Sequence, residues 1–301
     1  MMASRHGRRT ALALALTPAL AACGQGAGGQ GSNAQGRAPS GQSAGTRIDV
    51  AVPGTDLAVG PNRFSLGVLR ITKGKPDVER VTDAQLSLRF FHPIQPQPVL
   101  KGEAVPEFRY VGDESKGLYI AHMQFDQAGA WGVEVTGTSA GQPLPVARVQ
   151  FEVKPKPDTP AIGSPAPRSH NLTRHDVDDI RKIDSGATPN DMHELTIADA
   201  IEAGKPLVVL FASPGFCVTQ TCAPELGEVQ QLKAKYGQQA NFIHIEIFKD
   251  PMTRTPYETV TEWGLTSEPW VFLVDRAGLV AAKFEGPAPF AELEPALQKL
   301  L

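Results

Sequence analysis

Residues 206–212 read Pro-Leu-Val-Val-Leu-Phe-Ala, and this apolar run without a polar face constrains the fold more than any other feature of the chain. A strand with one face in water alternates apolar and polar residues. One without alternation must be covered on both faces, as in a parallel sheet between helical layers. The flanks agree with that placement. Upstream, Thr196 and Asp199 make a capping-box-like start for a helix through Glu202 that Gly204 stops. Downstream, a loop carrying Cys217 and Cys222 leads into Leu226, Val229, Leu232 and Tyr236 at helical spacing, and Gly237 ends that helix. Beyond it the pattern predicts a strand over 241–248, a short helix over 257–263 and a strand over 270–275. A turn at 276–278, a strand over 279–284 and a final helix over 290–301 complete an α/β second half.

The first half has a different texture. From residue 46 to 154, short apolar runs at 48–52, 63–71, 85–91, 118–125, 131–135 and 146–153 alternate with turn residues, which predicts an antiparallel all-β sandwich. In the run around Met123, the period of two puts Tyr119, Ala121, Met123 and Phe125 on one face and His122 on the other. His92, His122 and Met123 are the types that bind copper in some small β-sandwiches. Adjacent residues point to opposite faces of a strand, however, so His122 and Met123 cannot close on one ion without a bulge, and the domain reads as a spacer or partner-docking module. Residues 155–175 hold Pro155, Pro157, Pro160, Pro165 and Pro167, a density suited to a semi-rigid extended connector, and the second domain is placed at 176–301. The sandwich pattern resembles the immunoglobulin-like modules of bacterial envelope proteins.

The second domain resembles the thioredoxin-like superfamily over residues 195–301. The carriers are the strand ending in Phe211 and Ala212, the pair Cys217 and Cys222 just before a helix, and Ser267, Glu268, Pro269 and Trp270 opening a β-hairpin. The resemblance implies a thioredoxin-like α/β fold, catalytic Cys217 and Cys222, and Pro269 as the cis-proline that faces them. It puts Glu268 beside the sulfurs as a pKa modulator, where a carboxylate disfavours a thiolate and so favours a reducing poise. Thiol–disulfide exchange with client proteins, fed by an unnamed redox donor and needing no cofactor or metal, is the activity it implies. The usual motif separates its cysteines by two residues, whereas Val218, Thr219, Gln220 and Thr221 stand between these. The larger ring still admits a disulfide, which needs Cα atoms ~4.4–6.8 Å apart. By analogy Cys217 attacks and Cys222 resolves; Pro224 in the first helical turn would instead bring Cys222 nearer the helix dipole, so both orders stay open. A static structural disulfide is the bland alternative.

Two other activities on this fold stand beside exchange. Peroxiredoxins carry a Thr three residues before the reactive cysteine, as Thr219 precedes Cys222, but Pro214 is one position too far upstream and no arginine is expected before the Pro269 hairpin to orient a peroxide. Sco-type copper chaperones use two cysteines and a later histidine, and the loop before Pro269 has none. His244 shares a predicted strand face with Glu246 as a packed polar pair. His193, beside Asp191 and Glu194, is expected to be solvated in an acidic loop.

The N-terminus reads as an export leader. Arg5, Arg8 and Arg9 precede an apolar run at 11–22, too short for the ~20 residues of a spanning helix, and Leu20, Ala21, Ala22 and Cys23 close it. That closing sequence resembles a bacterial lipobox, which implies a signal peptide over 1–22, lipidation at Cys23 and an extracytoplasmic, membrane-anchored chain. Residues 24–45, rich in Gly, Ala, Gln, Ser and Asn, form a flexible tether with a reach of ~25 Å. With 29 Lys and Arg against 32 Asp and Glu and no basic block, nothing favours nucleic acid as a partner.

Overall fold

A computed structural model describes residues 46–74, 77–217 and 221–301; the leader, Cys23, the tether and Thr219 lie outside the described residues. Among the described residues no helix is long and apolar enough to cross a membrane.

The first domain contains β1 (Thr46–Ala51), β2 (Gly60–Thr72), β3 (Val78–Arg80), β4 (Gln85–Phe91), β5 (Leu100–Ala104), β6 (Glu107–Val111), β7 (Asp113–Phe125), β8 (Gly129–Ser139), β9 (Gln142–Pro143) and β10 (Ala147–Val153). One sheet has the order β1-β2-β7-β6 with β3 also on β2, and the other β10-β8-β4-β5 with β9 on β8; every pairing is antiparallel. The alternating residues of both sheets meet in one apolar core, where Phe64, Phe90, Phe125 and Trp131 are fully buried. Phe64 meets Phe90 edge-on at 5.0 Å, and Phe125 meets Trp131 at 4.8 Å. Strands β5 and β6, with the compositions LKGEA and EFRYV, carry no continuous apolar run; each lies at a sheet edge and pairs on one side.

The second domain runs α1 (Ile197–Glu202), β11 (Leu207–Phe211), α2 (Cys222–Tyr236), β12 (Asn241–Ile245), β13 (Phe248–Asp250), β14 (Thr255–Pro256), α3 (Glu258–Glu262), β15 (Trp270–Val274), β16 (Val280–Glu285) and α4 (Phe290–Gln298). Its sheet order is β12-β11-β15-β16, with β11 parallel to β12 and antiparallel to β15. All five residues of β11 are buried, as the unbroken apolar run requires. Thr196 caps α1 by accepting from the Asp199 N–H at 3.0 Å. The strand expected over 241–248 is divided. Glu246 turns its carboxylate inward and accepts the Ile247 N–H at 3.1 Å, a group that could otherwise continue the ladder, and β13 then pairs with β14 instead.

The sandwich is not a free spacer. Arg63 of β2 holds both carboxylate oxygens of Glu292 on α4, at 2.7 and 2.9 Å, and donates to the carbonyls of Glu285 and Pro287. Asp56 accepts from Lys283 on β16 at 3.0 Å, and Thr55 reaches Glu285 at 2.6 Å. Gly112, at φ +75°, lets the β6–β7 turn approach the first turn of α2; a Cβ there would stand 3.1 Å from Pro224. Its N–H donates to Glu228 at 3.2 Å. The proline-rich connector is likewise laid down rather than extended into solvent. Thr159, Ala166 and Ser169 are buried, and Gly163 and Ala166 donate to the carbonyls of Val280 and Gly278 along the β15–β16 hairpin.

Arg63 and Glu292 are only 8% and 11% exposed, so removing one partner strands the other's charge. Arg63→Ala is expected to cost about 3–5 kcal/mol in urea unfolding, whereas Arg47→Ala, which breaks the exposed pair with Asp49, should cost no more than about 1 kcal/mol.

Candidate active site

β11 delivers the chain at Phe211 to an irregular segment that must return into α2, whose first residue is Cys222. Irregular backbone inside a domain needs side chains to satisfy and fix it. His244 at the end of β12, Glu246 just beyond it and the segment 183–193 supply them. Ser213 donates its hydroxyl to Glu246, which also accepts the Ser185 N–H at 2.8 Å. Ser185 in turn accepts the Gly215 N–H at 3.0 Å; a Cβ on Gly215 would lie 2.4 Å from the Ser185 carbonyl, so only glycine fits there. His244 contacts the Ala212 carbonyl through Nε2 at 3.0 Å, while Nδ1 meets the Asn190 amide at 2.9 Å.

His244 and Glu246, expected as a packed polar pair, brace the cysteine loop through separate partners. His193 departs from the expectation of a solvated residue. It is buried with its Nε2 3.1 Å from Asp184, because the preceding loop folds that carboxylate beneath it. Asp184 also accepts from Gly186 at 2.9 Å and from the Asn190 backbone at 2.7 Å. Asp184, His193 and His244 offer donor atoms within 4.8 Å of one another. With both His244 nitrogens and both Asp184 oxygens already hydrogen-bonded, the cluster is satisfied as a structural network.

The sulfurs lie at the other end of the loop. Both cysteines are thiols, Cys217 half-buried and Cys222 fully buried. Their Sγ atoms and a carboxylate oxygen of Glu268 stand within 4.8 Å of one another, and the Glu268–Pro269 peptide is cis. The four expected residues, Cys217, Cys222, Glu268 and Pro269, are therefore brought to one place. His92, His122 and Met123 are not: His92 stacks on Trp131, Met123 is buried and His122 is exposed. The Cys222 thiol lies well above the ordinary range. Its hydrogen bond to Cys217 is the largest cause, followed by burial and by the negative charges of Cys217 and Glu268, while a backbone bond from Ser213 acts in the opposite sense.

Arg254 is the residue that sequence reasoning missed. It sits fourteen positions before Glu268 in the β13–β14 hairpin, at φ 54°, and its guanidinium reaches Glu268 at 3.2 Å while lying 4.4 Å above the Phe248 ring. The expectation that no arginine precedes the Pro269 hairpin is corrected: Arg254 comes from a separate hairpin that the fold brings against Glu268. Beside Glu268 and Thr221 opens a cleft of about 600 Å³, mostly apolar, with Val81, Phe108 and Leu118 of the sandwich facing Ile247, Phe248 and Leu265.

Burial, and then the nearby His193, push His244 down to about 4. The unfolded chain, with histidine near ~6.5, therefore binds more protons than the native state between that value and about 4. Native stability must fall as pH drops through this window. Nitrogen-detected NMR should find His244 neutral, with its proton on Nε2, from pH 7 down to about 4; titration at the ordinary histidine value would contradict this.

Residues 194–301 match the family model of the thioredoxin-like domain. Among curated proteins none matches the chain. Solved structures similar to it include a Chlorobium tepidum protein assigned the name thiol:disulfide interchange protein DsbE, at 19% identity and TM-score 0.33, covering 47% of this chain and 99% of that one. A second thiol:disulfide interchange protein of the thioredoxin family, from Chlorobium tepidum TLS, shows 18% identity and TM-score 0.29 over 35% of this chain and 85% of that one. A DUF4426 family protein from Pseudomonas aeruginosa PAO1 shows 18% identity and TM-score 0.22, covering 31% of this chain and 67% of that one. The sheet order, the two cysteines that meet before and at the start of α2, the cis-proline and the family match together make residues 194–301 a thioredoxin-like domain.

Proposed function

We propose that the protein is an extracytoplasmic thiol–disulfide oxidoreductase, lipid-anchored through Cys23 to a bacterial membrane, which reduces disulfides in client proteins. The observation that carries the reading is the convergence of the Cys217 and Cys222 sulfurs with Glu268 beside cis-Pro269. Cys217 is the nucleophile, because it is the more exposed sulfur and the Cys222 thiol hydrogen-bonds to it. Its thiolate attacks one sulfur of a client disulfide, and the other client sulfur leaves as a thiolate. Cys222 then loses its proton and attacks Cys217 Sγ, which expels the second client thiolate and leaves a Cys217–Cys222 disulfide. Two electrons pass to the client, and a donor dithiol must restore the pair.

The charge of Glu268 supports the reducing direction. A carboxylate within 4.8 Å of both sulfurs disfavours thiolate and therefore the reduced protein, so the pair gives up electrons readily. The apolar cleft beside Glu268 suits a client that presents an unfolded, apolar stretch rather than a folded surface. Titrating the protein against glutathione and dithiothreitol buffers, with thiol trapping at both cysteines, tests the reading. A reversible two-electron transition nearer the roughly −270 mV of thioredoxin than the roughly −120 mV of DsbA is expected. A potential near the oxidising end would reverse the direction, and a disulfide that resists reduction in the folded state would make it structural.

A further inference from the structure

We propose that the reduced site is a zinc(II) site, with Cys217 Sγ, Cys222 Sγ and a Glu268 carboxylate oxygen as its three protein ligands. The donor atoms already lie within 4.8 Å of one another. A tetrahedral site with Zn–S of ~2.3 Å and Zn–O of ~2.0–2.2 Å needs neighbouring donors roughly 3.5–3.8 Å apart. Side-chain torsions can close the difference, since Cys217 and Glu268 enter from loops and only Cys222 from a helix. The mixed set of two sulfurs and one hard oxygen suits zinc, which takes thiolate and carboxylate alike, over copper(I), which favours soft donors throughout.

Charge closes as well. Three anionic donors around a dication leave one negative charge, and the Arg254 guanidinium 3.2 Å from Glu268 offsets it. Arg254 also orients the carboxylate, and the backbone bond from Ser213 steadies the Cys222 sulfur. Three protein ligands and a half-buried Cys217 leave a fourth position for water or an incoming thiolate.

This site goes beyond disulfide exchange and depends on that reading only in needing both sulfurs reduced and adjacent. Metal binding releases the proton of each thiol. When a client disulfide oxidises the loaded site, the two protein sulfurs join, the client sulfurs leave as two thiolates carrying the two electrons, and Zn²⁺ departs. Zinc loading and the protein disulfide exclude each other, so zinc competes with exchange.

The test takes the full chain, reduced and stripped of metal without air, and titrates it with Zn²⁺ against a chromophoric chelator and separately with Co²⁺. The site predicts one metal per reduced chain, none in the disulfide form, and a Co²⁺ spectrum with thiolate charge transfer and the intense visible bands of four-coordination. Glu268→Gln should weaken Zn²⁺ binding by at least about 10-fold. Equal affinity in that variant, equal binding by the disulfide form, or a six-coordinate Co²⁺ spectrum overturns the proposal. The Co²⁺ spectrum is read on the unaltered chain, so the proposal stays testable even if the variant does not fold. Thiols that exchange reversibly with glutathione but bind no zinc would sink this site and leave the exchange reading standing. Thiols that bind zinc but never pair would do the opposite.

Discussion

The buried carboxylate of Glu246 holds the cysteine loop in place, and the redox geometry depends on it. A strand covered on both faces must hand its chain to a helix through residues that have no ladder partners. Glu246 answers by binding the Ser213 hydroxyl and the Ser185 N–H, while His244 fixes the Ala212 carbonyl one residue earlier. Ser213 then presents its backbone to Cys222. A buried carboxyl group in such a place would be costly alone, and its several donors are what make it tolerable.

A second constraint comes from the sandwich, which forms part of the active-site surroundings. Thr55 and Ser267 both bond Glu285, and Ser267 also accepts the Trp270 indole N–H, so a sandwich residue is tied to the segment that contains cis-Pro269. Asp56 belongs to the same seam. Burial alone would raise its carboxyl, yet the bonds from Thr159 and Asp158 and the Lys283 charge hold it below the usual range. The apolar cleft is therefore bounded by both domains.

Much of the second domain was legible because its signals are local. The unbroken run of β11, the Thr196 cap and the glycine stops each act within a few residues of themselves. The cysteines and Pro269 could be placed because the family motif fixes their positions relative to those elements. What stayed hidden acts at long range. The Arg254–Glu268 pair, the Asp184–His193 pair and the sandwich clamp through Arg63 join residues whose partners no periodicity announces. His193 beside Asp191 and Glu194 looks solvated until Asp184 folds beneath it. Edge strands β5 and β6 were silent for a related reason: half-exposed pairing demands little of composition.

The most direct measurement incubates Cys222→Ser with an unfolded disulfide-bonded peptide and maps the trapped mixed disulfide by mass. The account predicts a stable adduct through Cys217, and none of comparable yield through Cys222 in Cys217→Ser. An adduct formed only through Cys222, or in neither variant, would contradict it.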